Sequence, residues 1–116
     1  MTSPSSHLDD VFQALGDPTR RAVLARLCKG PASVSDLAAP FRMALPSFVQ
    51  HLRVLEDSGL IYSTKKGRVR TCHAKPQPLK GAESWIAAQR TMWEQRLDRF
   101  DAYVTQLYKD KDKDND

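Results

Sequence analysis

Aromatic residues make up only 8% of the 116-residue chain, and it holds just two cysteines, three histidines and five glycines. Each scarcity excludes something. Cys28 and Cys72 are too few for a disulfide framework. No apolar run approaches the ~18 residues of a membrane span, and Met1 to Ser6 is polar, without the basic and apolar segments of a secretory signal. A cytoplasmic, reducing environment is the expectation. His7, His51 and His73 have no neighbouring carboxylate to orient them, no nucleophile stands at suggestive spacing to a base, and no glycine-rich phosphate loop occurs, so no enzymatic activity is expected. The histidines and cysteines are scattered over four elements, with no Cys-x-Cys or paired-His cluster, which predicts no metal site and no cofactor.

What is present is unevenly placed charge. The net charge of +4 resolves into zero over residues 1–36, +6 over 37–82 and −2 over 83–116. The central excess comes from Arg42, Arg53, Lys65, Lys66, Arg68, Arg70, Lys75 and Lys80 against Glu56 and Asp57. A basic centre between a neutral and an acidic flank suits a polyanion, although a solvated lysine-rich face produces the same arithmetic.

Length and composition predict a single domain over 8–108, between a disordered arm (1–7) and a disordered charged tail (109–116). Leu8, Val11, Phe12 and Leu15 recur at helical spacing and Gly16 ends that run. Asp17 then caps a second helix that opens on Pro18, buries Ala22, Val23 and Leu27, places Cys28 in a buried position and stops at Gly30-Pro31. Ser33-Val34 reads as extended, and Ser35 as the cap of a short third helix, Asp36 to Phe41. A fourth helix covers 44–58, with Leu45, Phe48, Val49, Leu52 and Leu55 in one stripe and Ser47, Gln50, His51, Arg53 and Val54 outside it. Gly59 and Leu60 fit a Schellman ending. Residues 61–73 alternate as a hairpin around Lys65-Lys66-Gly67, and Pro76 and Pro78 lead into a last helix over about Leu79 to Tyr108.

Short helices followed by a basic hairpin are the order of a winged helix-turn-helix: mainly α, with a small β-hairpin and a long C-terminal helix. A two-turn helix and a tight turn can set the next helix steeply enough for its N-terminal half to enter a major groove roughly 12 Å wide. Ser47, Gln50 and His51 would then face bases or phosphates, with Arg53 and Leu45 at the margins. Gln50 is the best reader, because its amide can pair bidentately with adenine. Lys65, Lys66, Arg68 and Arg70 on the wing would neutralise phosphates.

The runs FQALGDPTRRAVLARL, SVSDLA, PSFVQHLRVLEDSGLI and KKGRVRTCHA, in that order from about Leu8 to Leu79, resemble the ArsR/SmtB family of bacterial winged-helix repressors, with DPTRR and HLRVLEDSGL the most specific pieces. The final ESWIAAQRTMWEQRLDRFDAYV is similar to a subgroup whose last helix carries no metal ligands. The resemblance implies a homodimer, held by the first and last helices, that binds a two-fold, inverted-repeat DNA operator and represses until released or titrated. In that light His51 matches the family histidine, and the Arg20-Arg21 pair matches a motif that pairs internally near the second helix start. Ala44-Leu45-Pro46-Ser47 departs from the usual start of the reading helix.

Leu8, Val11 and Phe12, with Trp85, Ile86, Trp93, Leu97, Phe100 and Val104, are the candidate dimer contacts. Two alternatives stay open: a winged helix used for protein docking, and a repressor switched by oxidation of Cys28 and Cys72.

Overall fold

The computed structural model describes residues 4–114. They form α1 (Pro4–Leu15), α2 (Pro18–Leu27), β1 (Ala32–Ser33), α3 (Val34–Ala38), α4 (Leu45–Asp57), β2 (Ile61–Lys66), β3 (Val69–Ala74) and α5 (Gln77–Asp114). The chain divides into two units, Met1–Ala82 and Glu83–Asp116. The three strands are antiparallel in the order β1-β3-β2, so the expected hairpin gains an inner edge strand, with Ala32 opposite Cys72 and Ser33 opposite Thr71.

Helix α1 opens earlier than the sequence suggests. Residues 4–7 of the supposed arm are helical, Pro4 at the first position losing no hydrogen bond; residues 1–3 lie outside the described residues. The tail is corrected likewise. Helix α5 continues through Asp114, and within it Gln106 Nε2 donates to Asp110 at 3.0 Å; residues 115–116 lie outside the described residues.

The short α3 is shifted by two residues from the expected register. Ser33, extended at φ −71° and ψ 158°, accepts from the Asp36 amide at 3.1 Å, and Pro40 follows too closely for the helix to reach Phe41. Ser33 wins over Ser35 because pairing of Ala32–Ser33 with β3 fixes the extended conformation that an N-cap needs. At the end of α4 the expected Schellman motif is complete: Leu60 N donates to Leu55 O at 3.1 Å, Gly59 N to Glu56 O at 2.9 Å, and Gly59 takes φ +78°.

The core of the first unit gathers Val11 and Ala14 of α1, Val23, Leu24 and Leu27 of α2, Leu37 of α3, Phe48, Leu52 and Leu55 of α4, and Leu60, Ile61, Cys72 and Ala82. Phe41, in the turn before α4, lays its ring 5.5 Å from that of Phe48 and so anchors the start of α4. Four expectations fail here. Ala22 is exposed and Leu24 takes its place, since α2 turns a different edge inward. Cys28, at the C-cap just past that edge, is exposed. Leu45 is 56% exposed, being the first residue of α4 and beyond the reach of the core. Val11 is 0% exposed, so it serves its own core and offers nothing to a second copy.

The junction of α1 and α2 is built from the DPTRR segment. Asp17 Oδ2 accepts the Arg20 amide at 3.0 Å, closing the N-terminus of α2. The Arg20 side chain turns back: Nε donates to Ala14 O at 2.8 Å and Nη2 to Gln13 O at 3.0 Å, while Arg21 Nη1 donates to Leu15 O at 2.8 Å. Two arginines thus bond three carbonyls at the end of α1, of which Gln13 O also accepts the Gly16 amide at 3.1 Å. The Arg20 amide bond holds the Asp17 carboxyl below the ordinary carboxylate range, with His51 and the Arg20 charge assisting against partial desolvation.

Replacing Arg20 with Lys keeps the charge but loses the fork, and urea denaturation should register a loss of about 2 kcal/mol. Asp17→Ala should cost about 1 kcal/mol at neutral pH. Because the folded pKa of Asp17 lies below the unfolded one, its contribution is complete above the unfolded value and disappears as pH falls through the folded value. The gap between wild type and Asp17→Ala should therefore close on acidification.

Candidate nucleic-acid interface

Helix α4 begins without a side-chain cap: Ala44 has no acceptor to offer and Pro46 no amide to be capped. Its buried stripe of Phe48, Leu52 and Leu55 turns Ser47, Gln50 and Arg53 outward, where all three are exposed alongside Leu45. Arg42, in the turn just ahead, is also exposed. Sequence reasoning counted Arg42 in the basic centre without singling it out, although its position next to the helix start was the available signal. The exposed start of α4 and its dipole form a surface suited to anions.

His51 is only half-exposed. Its Nδ1 lies 3.1 Å from Arg20 Nη1 and 3.7 Å from Asp17 Oδ2, so α4 is tied to the α1–α2 junction.

The wing is a hairpin with the two-residue loop Gly67-Arg68, since Lys66 pairs with Val69 and Lys65 with Arg70. Gly67 at φ +63° occupies the first loop position, where a II′ turn calls for glycine. The strands therefore reach further than the expected Lys65-Lys66-Gly67 turn, and Arg68 stands in the loop itself. Lys65, Lys66 and Arg68 are exposed at the tip.

Arg70 does not join them, which corrects its assignment as a free phosphate contact. Its Nη2 pairs closely with Glu56 Oε1 and its Nε donates to Ser63 Oγ at 3.0 Å, while Ser63 Oγ donates to Glu56 at 2.9 Å. This triad staples the end of α4 to both wing strands and neutralises Glu56, one of two acidic side chains in the basic centre. Sequence spacing could not reveal it, because its members are brought together only by the hairpin register. Across the same sheet Tyr62 stacks on His73 at 4.8 Å, and Thr64 Oγ1 meets His73 Nε2 at 3.1 Å.

The thiols differ sharply. Cys72 is buried in β3, and desolvation pushes its pKa up, disfavouring the thiolate. Cys28 is exposed beside a shallow cavity of about 490 Å³ that Tyr62, His73 and Pro31 help to line. Both are free thiols.

In the second unit, α5 leaves a continuous apolar seam exposed. Ile86, Trp93, Phe100 and Leu107 recur every seven residues with Leu97 and Val104 between them, and Trp93 and Phe100 are 60% and 61% exposed. Trp85, Met92, Tyr103 and Tyr108 widen it. No helix of the described residues is long and apolar enough to cross a membrane.

A short helix, a tight turn, a helix with an exposed polar face and a basic antiparallel wing together define a winged helix-turn-helix DNA-binding protein. A helix-turn-helix domain model matches residues 15–63. The HTH-type transcriptional regulator Rv2034 of Mycobacterium tuberculosis is 38% identical over 79% of this chain and 76% of its own length. The transcriptional repressor SdpR of Bacillus subtilis is 30% identical over 68% and 88%. The crystal structure of an ArsR family transcriptional regulator is 55% identical with a TM-score of 0.75, covering 81% of this chain and 97% of that one. The chain belongs to the ArsR family of transcriptional regulators. At the level of fold alone it is also similar to a homodimeric winged helix-turn-helix DNA-binding domain from Mycobacterium bovis, 20% identical with a TM-score of 0.58 over 74% and 82% of the two chains.

Arg70→Ala should destabilise the fold by about 1 to 2 kcal/mol by stranding Glu56, whereas Arg68→Ala should stay within about 0.5 kcal/mol. Thermal or urea unfolding of the two variants separates structural from free arginine. Under native conditions a thiol reagent should modify Cys28 rapidly and Cys72 only at the rate of unfolding, as mass spectrometry of timed samples can follow.

Proposed function

We propose that the protein is a homodimeric, sequence-specific transcriptional repressor that reads an inverted-repeat operator with α4 in the major groove and the wing on the backbone. The observation that carries this reading is the division of labour around α4: its apolar stripe is consumed by the core, while Ser47, Gln50 and Arg53 stand exposed beside an uncapped helix start and a wing tip of Lys65, Lys66 and Arg68. Gln50 supplies base discrimination, Ser47 and His51 contact the adjacent strand, and the wing tip holds register on phosphates. Arg53 and Arg42 extend the positive surface, and Leu45 offers an apolar contact to a thymine methyl. Arg70 acts through the wing's position rather than by touching DNA.

Dimerisation through residues 79–108 is supported by the exposed seam of α5, which a monomer would leave in water. Trp85, Ile86, Trp93, Leu97, Phe100 and Val104 belong to that contact, with Leu8 and Phe12 of α1, both partly buried against their own core, as lesser contributors. The homodimer described for the Mycobacterium bovis domain and the repressor activity in the name of SdpR favour the same reading. Repression then follows from occupancy, two copies on half-sites centred about 10 to 10.5 bp, or a small multiple, apart.

Purified protein mixed with fragments of the host genome should enrich a small set containing inverted repeats, and a lack of selective enrichment would favour a protein-docking role. On an enriched duplex, Gln50→Ala should relax discrimination among operator variants by roughly the 1 to 3 kcal/mol of a bidentate contact. Arg68→Ala should weaken all duplexes alike and lower the salt slope by about 1. An unchanged slope would remove the wing from the DNA.

A further inference from the structure

The bond between Arg20 and His51 has a consequence for the reading helix. We infer that Arg20 is a positioning residue that fixes the His51 imidazole as an Nε2–H donor to a phosphodiester oxygen. This rests on the reading that α4 meets DNA. A guanidinium carries five donors, no acceptor, and keeps its charge. With Arg20 Nη1 3.1 Å from His51 Nδ1, that nitrogen accepts through its lone pair and carries no proton. The single proton of the neutral ring then sits on Nε2.

Arg20 is not free to adapt to the ring, because its Nε and Nη2 are held by the carbonyls of Ala14 and Gln13. Asp17 Oδ2, 3.7 Å from Nδ1, is too distant to accept a proton there and already takes the Arg20 amide. The end of α1 therefore sets the tautomer of a side chain on α4. Among the described residues Nε2 meets no protein partner, yet no side-chain nitrogen or oxygen is both buried and unpartnered, so Nε2 opens to solvent. His51 lies one turn after Ser47 on the same helix face, and the Ser47 hydroxyl and the His51 Nε2–H line one edge along which a phosphate can run.

Two isosteres test this with the full chain and an operator duplex enriched from the genome. His51→Gln carries an amide N–H near the position of Nε2, and His51→Asn near that of Nδ1. Retention of affinity within about threefold by His51→Gln, with a loss of about tenfold in His51→Asn, is the expected result for one charge-assisted hydrogen bond. Nitrogen-15 NMR of the free wild-type protein should place the His51 proton on Nε2 alone, and in Arg20→Met or Arg20→Leu, whichever folds, a measurable Nδ1–H population should emerge. Equal affinities of the two isosteres, a wild-type proton on Nδ1, or an unchanged tautomer without Arg20 overturns the inference. Failure of wild type to select any duplex overturns the DNA reading instead, and leaves the NMR arm to judge the tautomer.

Discussion

The guanidinium of Arg20 is the point through which three helices meet. It satisfies Gln13 and Ala14 at the end of α1, sits one turn inside α2 behind the Asp17 cap, and reaches His51 on α4. Hydrophobic burial supplies more stabilisation than these bonds, but burial is non-directional. The fork of Arg20 has direction: it ties His51 on α4 to the end of α1 by hydrogen bonds of set geometry, while the buried stripe decides which side chains of α4 face outward. A lysine could supply the charge and not that geometry.

The wing is held on the same principle from the other end of α4. Glu56, Ser63 and Arg70 bind the last turn of the helix to β2 and β3. The basic centre is consequently two populations. Arg70 is spent on internal order, while Lys65, Lys66 and Arg68, a few residues away on the same hairpin, remain available to an external polyanion. Net charge by segment could not make this distinction, because it depends on which basic residue the hairpin register brings against Glu56.

Much of the architecture was legible because its signals are local. The Asp17-Pro18 helix start, the Gly59-Leu60 ending and the stripe of α4 follow from capping chemistry and helical period; the start and the ending stand as read, and the stripe stands at Phe48, Leu52 and Leu55 but not at Leu45. The misreadings share a cause. Ser33 displaced Ser35 as a cap because strand pairing fixed its backbone; Val11 vanished into the core and Cys28 emerged from it because neighbouring elements decide which edge of a helix turns inward. The exposure of Ser47, Gln50 and Arg53 was readable from phase alone, whereas the partners of His51 and Arg70 lie 31 and 14 residues away and needed the fold.

On the proposed DNA reading, an α4 held at both ends presents a surface only one half-site wide. The exposed seam of α5 would then supply the means of doubling it, a two-fold arrangement turning a modest single contact into recognition of a longer site. The central claim is therefore stoichiometric as much as chemical. Native mass spectrometry of the protein on a genome-selected duplex tests it most directly: two chains per inverted repeat, with no complex carrying a single chain at protein concentrations near the midpoint, is the predicted result. A stable complex of one chain per duplex would contradict it.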